Sequence, residues 1–315
     1  MAEKQIIAVT GATGAQGGGL ARAILDEPDS AFTVRAITRN PGSDAARELA
    51  RRGAEVVQAD MDDEASLAKA FDGAYGAFLV TNFWEHMDPE REAAQARNLV
   101  GAAKAANIAH AIWSTLEDFR ETFPLDDDRI PTLDGKYKVP HCDVKGEADA
   151  WFTEAGVPTT FLRTSFYFDN FLSSIPLRRQ DDGTLVLPLA LGEAALAGIA
   201  VEDIGRSALG VFKRGRELLG QTIAVAAEHL TGDQYAQVFT NVLGEPVAYA
   251  PFPYQALRDP GIPGGAELAN MFQVYAEFSE SLLAQRNPAV LRGLVPSPQS
   301  FKDWLITHKD AFASL

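Results

Sequence analysis

Hydrophobic positions in this chain come in short runs, each followed by a stretch where apolar and charged residues mix. Gln5-Ile6-Ile7-Ala8-Val9-Thr10 is the first run, and Phe32 to Arg39 the second. Ala54 to Asp60, Ala74 to Thr81 and Ala109 to Thr115 are the third, fourth and fifth. Short apolar runs without strict alternation predict strands covered on both faces, as in a parallel sheet flanked by helices. Between them the sequence predicts a short helix at Asp63 to Phe71 and a long one from Pro89 to Ala106. Glu117 to Pro140 is polar and rich in Asp and Pro, which predicts an irregular loop. A helix over His141 to Ala155 and a strand over Thr159 to Thr164 resume the alternation.

Beyond Phe166 the regularity stops. Strands at Thr184 to Leu189 and Gln221 to Ala226 mix with helices starting near Val201 and covering Thr231 to Leu243, Ala266 to Leu283 and Ser300 to Asp310. Pro251 to Pro263 holds four prolines and predicts a further loop. The fold class is therefore α/β, a doubly wound parallel sheet over residues 1–165 with a smaller mixed α/β C-terminal lobe over 166–315, which has scope to return strands to the main sheet.

The first apolar run leads into Gly11-Ala12-Thr13-Gly14-Ala15-Gln16-Gly17 and then a helix, with a second strand following. In that strand-turn-helix context a glycine triplet predicts a dinucleotide site. Gly11 would permit the turn, Gly14 the approach of a pyrophosphate and Gly17 close helix–strand packing. Gly11, Thr13, Gly14, Ala15, Gln16 and Gly17 are the expected cradle, with the diphosphate on the N–H groups of the helix start. Binders of NAD place Asp or Glu at the end of the second strand. Here that strand ends Thr38-Arg39-Asn40, and Arg39 suits a 2′-phosphate, so the expected cofactor is NADP(H).

Composition narrows the class. The chain has 315 residues, 46% of them hydrophobic, enough for a large core. A formal charge of −15 without cationic runs argues against direct nucleic-acid binding. A single cysteine, Cys142, leaves no partner for a disulfide and no cysteine-rich metal site. Neither a signal segment nor an apolar run long enough for a membrane span is evident, so the expected location is cytoplasmic, with the nucleus compatible in a eukaryote.

TGATGAQGG, ITRNP, GAEVVQAD, VTNFWE, WSTLED, PHCDVKGEADAWF, GVPTTFLRTSFYFDNFL, ELANMFQVYAEF and DWLITHKDAF together resemble the NmrA-like family of the atypical short-chain dehydrogenase/reductase superfamily. The resemblance runs from end to end. It implies a Rossmann fold with a small C-terminal lobe and NADP(H) preferred through Arg39. It also implies an adenine contact at Asp60-Met61, a cofactor role for Lys145, and packing of Tyr167, Phe168 and Asn170 near the nicotinamide. Thr81, Asn82 and Phe83 end the fourth strand, where they should flank the nicotinamide ribose. Known members of this family act as redox sensors that change protein partners with the NADPH/NADP⁺ ratio.

Enzymes of the wider superfamily use a Tyr and a Lys four residues apart on one helix, with a Ser at the end of the fifth strand. Here Lys145 is kept and His141 stands where the Tyr belongs, while Tyr137 is out of register across Pro140. The Ser position falls on Ser114, Thr115 or Leu116, and Leu116 would remove the hydroxyl. His141 is a candidate acid beside Lys145, or a histidine bonded to loop backbone. Cys142, one residue on, is expected to point elsewhere as an inert core thiol. The leading expectation is an NADP(H)-binding regulator acting through a protein partner, with NADPH ordering the Glu117 to Pro140 loop. The alternative is an NADPH-dependent reductase or isomerase of a small carbonyl or aromatic compound. A homodimer stays open, and no metal is expected.

Overall fold

The computed structural model describes residues 3–313, which form two compact units. The first takes the chain up to Asp118 together with His141–Thr164 and Val201–Ile223. The second takes Phe119–Pro140, Ser165–Ala200 and the chain from Ala224 onward. The division expected after residue 165 is thus one of several crossings between units.

In the first unit the chain runs β1 (Gln5–Val9), α1 (Ala15–Leu25), β2 (Phe32–Thr38), α2 (Asp44–Arg51), β3 (Glu55–Gln58), α3 (Glu64–Phe71), β4 (Gly76–Leu79), α4 (Pro89–Ala105), β5 (His110–Thr115), α5 (Pro140–Glu154) and β6 (Thr159–Arg163). After β7 (Phe166–Tyr167), β8 (Arg178–Arg179), β9 (Leu185–Leu187) and β10 (Ala195–Ile199), it returns with α6 (Val201–Arg214) and β11 (Thr222–Ala224). The seven-stranded sheet has the order β11-β6-β5-β4-β1-β2-β3. Every pairing from β3 across to β6 is parallel. Strand order reverses at β1 and β4, and the crevice beyond the carboxyl ends of such neighbours is where open α/β sheets bind ligands.

Local chemistry sets these elements. All of β4 and β5 is buried, as apolar runs covered on both faces require. Helix α4 begins where Asp88 accepts from the N–H groups of Glu90 and Arg91, with Pro89 in its first turn. One core packs Leu67, Phe71, Leu99 and Val100 against Trp113 and Phe152. Behind α1 lies α6. A Cβ on Gly205 would stand 2.2 Å from the backbone of Gly19 and Leu20, so only glycine allows this approach. Gly18 and Gly19 are helical and buried, and Arg22 forks onto Glu202 at 2.8 and 2.9 Å.

The second unit has two small sheets, in the orders β12-β10-β7, with β12 at Glu228–Thr231, and β13-β9-β8, with β13 at Val247–Tyr249. Its helices are α7 (Gly232–Leu243), α8 (Gly265–Glu277), α9 (Ser279–Gln285), α10 (Pro288–Leu294) and α11 (Phe301–His308). The single helix expected over 266–283 is broken at Phe278, whose φ of −125° and ψ of 23° leave the helical region. The loop expected at 117–140 is irregular yet bonded from within. The buried Lys138 ammonium donates to the carbonyls of Asp127 and Ile130 at 2.7 Å and to Thr132 Oγ1 at 2.8 Å. Asn270 Nδ2 donates to the carbonyls of Pro131 and Lys138, both at 2.7 Å.

Candidate dinucleotide site

Gly11 turns the chain out of β1 with a φ of +59°, a left-handed conformation that favours glycine. A Cβ on Gly17 would lie 2.4 Å from the Thr10 carbonyl oxygen, so this glycine is what lets α1 start so close to β1. Gly14 caps α1 without a side-chain bond, leaving the N–H groups of the first turn for an anion. Thr13, Gly14 and Ala15 are exposed and Gln16 half-buried. This cradle fits a diphosphate.

Next to it, Ser114 pairs with Leu162 of β6, and its hydroxyl donates to Gln16 Oε1 at 2.7 Å. Thr115 instead donates to the Lys145 carbonyl at 3.0 Å. Of the three positions, Ser114 is the one whose hydroxyl reaches the glycine loop.

The end of β4 and helices α4 and α5 meet around Lys145, which is 8% exposed. Its ammonium donates to Thr81 O at 3.1 Å and to Thr81 Oγ1 at 2.5 Å, and pairs with Glu92 Oε1 at 2.8 Å. Thr81 Oγ1 in turn donates to the same Glu92 oxygen at 2.6 Å. Glu92 is fully buried, and its second oxygen has no partner among the described residues. Gly146 follows Lys145 because a Cβ there would strike the Asp118 backbone nitrogen at 2.4 Å.

His141 opens α5 at 6% exposure, its ring 5.1 Å from Trp84 and 5.8 Å from Phe83, with Nε2 3.3 Å from Cys142 Sγ. Cys142 thus faces His141, against the expectation that it points elsewhere. Phe83 is buried under Trp84, which is 43% exposed, in a 3-10 turn over Phe83–Glu85 that follows the exposed Asn82. At the far end, Arg39 donates from Nη1 to Glu85 Oε1 at 2.5 Å. Asp60 closes a turn by accepting from the Asp62 N–H at 3.0 Å, and the Met61 carbonyl accepts from Asn98 at 2.8 Å. Arg91 pairs with Asp62, holding that carboxyl below its ordinary range.

The first unit thus brings together the glycine loop, Arg39, Asp60, Met61, Thr81, Asn82, Phe83, His141 and Lys145. Tyr167, Phe168 and Asn170 belong to the second unit. There Phe168 is fully buried against Phe301 and Trp304, at 5.1 and 6.1 Å, which makes it a core ring rather than a ligand-facing one. Asn170 uses its carbonyl to accept from Ile175 N–H at 2.8 Å, and Tyr167 is half-buried. Tyr137 is also a buried residue of that unit. Sequence reading missed Glu92 and Glu85. Glu92 was detectable, since Glu92, Ala96, Leu99 and Ala103 mark one apolar helix face with a lone carboxylate in it. Nothing local marks Glu85, whose partner lies 46 residues away.

Comparison with known proteins gives the family and the fold. The oxidoreductase FrzB of Cladobotryum sp is 28% identical over 290 residues, covering 85% of this chain and 82% of that one. The oxidoreductase malD of Malbranchea aurantiaca is 29% identical over 259 residues, covering 78% and 75%. Both are described as NmrA-like family domain-containing. Among solved structures, the negative transcriptional regulator Nmra superimposes with a TM-score of 0.82 at 24% identity, covering 99% of each chain. The NADPH-dependent quinone oxidoreductase QOR2 of Escherichia coli, solved with NADPH, gives 0.75 at 26%, covering 96% of this chain and 99% of that one. No helix among the described residues is long and apolar enough to cross a membrane. The model of the NmrA-like family matches residues 3–305, and the chain belongs to that family.

Proposed function

We propose that this protein binds NADP(H) in the first-unit crevice and acts as a redox-responsive regulator of a protein partner rather than as a reductase. The observation that carries this reading is the state of the two residues a reductase would need. Lys145 has three N–H donors, and Thr81 and Glu92 take them. The residue in the tyrosine position, His141, is packed against Phe83 and Trp84 with its Nε2 on a thiol. The glycine loop supports dinucleotide binding, and a histidine in the tyrosine position supports a regulator over a reductase. Gly14 and the first turn of α1 would hold the diphosphate, Arg39 the 2′-phosphate and Asp60-Met61 the adenine side.

A second reading rests on the curated relatives, which are named oxidoreductases. In that reading a bound nicotinamide supplies a hydride to a small carbonyl or quinone substrate. Ser114, turned from Gln16, would hydrogen-bond the substrate oxygen, and His141, its Nε2 released from Cys142, would give that oxygen a proton. Calorimetric titration with NADPH and NADP⁺, run beside steady-state NADPH oxidation against a carbonyl and quinone panel, separates the two. Tight binding without turnover is the expected result. A rate that His141→Ala removes would establish the second reading instead.

A further inference from the structure

Arg39 is the cation at the end of β2 among the described residues, and in this structure a carboxylate already contacts it. Glu85 Oε1 sits 2.5 Å from Arg39 Nη1, with both side chains partly exposed, at 40% and 54%. The backbone on either side is fixed. Gln58 Nε2 donates to the Arg39 carbonyl at 3.1 Å, and the N–H of Asn40 bonds Thr38 Oγ1 at 3.2 Å. Glu85 is fixed in turn by its 3-10 turn, where its N–H donates to the Asn82 carbonyl at 3.2 Å. The nearby cation offers no substitute, because Arg91 is forked onto Asp62.

We propose that Glu85 is the residue that sets the discrimination between NADP(H) and NAD(H), by occupying Arg39 as an internal stand-in for the 2′-phosphate. A carboxylate and a phosphate both present oxygens to the same guanidinium fork, so they compete for it. Glu85 takes only Nη1 of Arg39, so a 2′-phosphate either displaces it there or binds the remaining N–H groups beside its negative charge. A dinucleotide with a 2′-hydroxyl leaves the pair intact. Glu85 therefore weakens NADP(H) selectively and narrows the preference that Arg39 creates. An exposed Arg–carboxylate pair is weak enough to be exchanged, so the device tunes affinity without closing the site.

The inference rests on the proposed NADP(H) reading, and its test keeps the two apart. NADPH, NADH, and the fragments 2′-phospho-AMP and AMP are titrated calorimetrically into wild type, Arg39→Ala, Glu85→Gln and the double variant, each checked for an unchanged melting transition. Glu85→Gln should tighten NADPH and 2′-phospho-AMP by about tenfold while NADH and AMP change less than about twofold, a gain on the scale of one charged contact. In the double variant the gain should shrink, since only the repulsion of the Glu85 carboxylate, and not the release of Arg39, remains to be relieved. Glu85→Lys provides a second variant and should tighten the phosphorylated ligands further. If Arg39→Ala lowers the NADPH/NADH ratio and Glu85→Gln leaves it unchanged, the role of Glu85 is overturned and the cofactor reading stands. If Arg39→Ala also leaves the ratio unchanged, the cofactor reading fails as well.

Discussion

An ammonium buried as deeply as Lys145 persists beside a fully buried carboxylate because each holds the other's charge. Removing one partner strands the other, which costs about 3–5 kcal/mol, whereas replacing both with apolar groups is often close to neutral. Lys145→Met and Glu92→Leu should therefore each lower the urea midpoint strongly, and the double variant should recover most of it. NADPH affinity should stay reduced in the double variant if Lys145 also serves the cofactor. Full recovery of both would make Lys145 a purely structural residue. The difference between Lys145 and Glu92 also shows what a sequence reveals about a site. Lys145 stands out because a family motif surrounds it. Glu92 is visible as an interruption of an apolar helix face, whereas Glu85 could be assigned only once folding had brought it to Arg39.

At the level of elements, the first five strands were legible because each is a contiguous apolar run, although helix α2 between the second and third was not read. Several strands of the second unit were not legible, because they have only two or three residues and so leave no apolar run to detect. The 119–140 loop shows the same limit, because its polar composition hid an ordering centre. Lys138 gathers backbone oxygens from Asp127 and Ile130 that no strand or helix satisfies. Lys138→Met would leave the Ile130 carbonyl buried and unpaired, at about 1–3 kcal/mol, and the half-buried Asp127 carbonyl to water. Hydrogen exchange across 119–140 should accelerate sharply in that variant. Against the expectation that NADPH orders residues 117–140, these internal bonds lead us to expect a wild-type loop protected before NADPH is added and little changed afterwards. Strong NADPH-dependent protection of this loop would contradict that view.

The whole molecule should lose stability in two stages as the pH falls. His110 is buried in the sheet beneath Phe212, and burial lowers its pKa from 6.5 to about 4. Between those values the unfolded chain takes up a proton that the folded chain refuses. The contribution of neutral His110 is thus fully present above about pH 6.5 and lost as the pH falls toward 4, on the order of 3 kcal/mol. Carboxyls held below their ordinary value of 3.8 by Arg91 on Asp62, Arg129 on Asp127 and Ser300 on Asp303 act later, below that value. Urea midpoints from pH 7 to 3 should show both stages, and His110→Gln should flatten only the first. The glycine contact between α1 and α6 bears on the order in which the chain is made. Glu202 emerges 180 residues after Arg22, a delay of roughly 10–40 s during synthesis. Until then the helix that opens the phosphate cradle has no backing, and a fragment ending at residue 165 should be insoluble or bind no NADPH. A well-folded fragment that binds it would disprove this. NADP(H) can then reward only a chain made past residue 205, so the nucleotide should stabilise molecules that have both helices over those cut before α6.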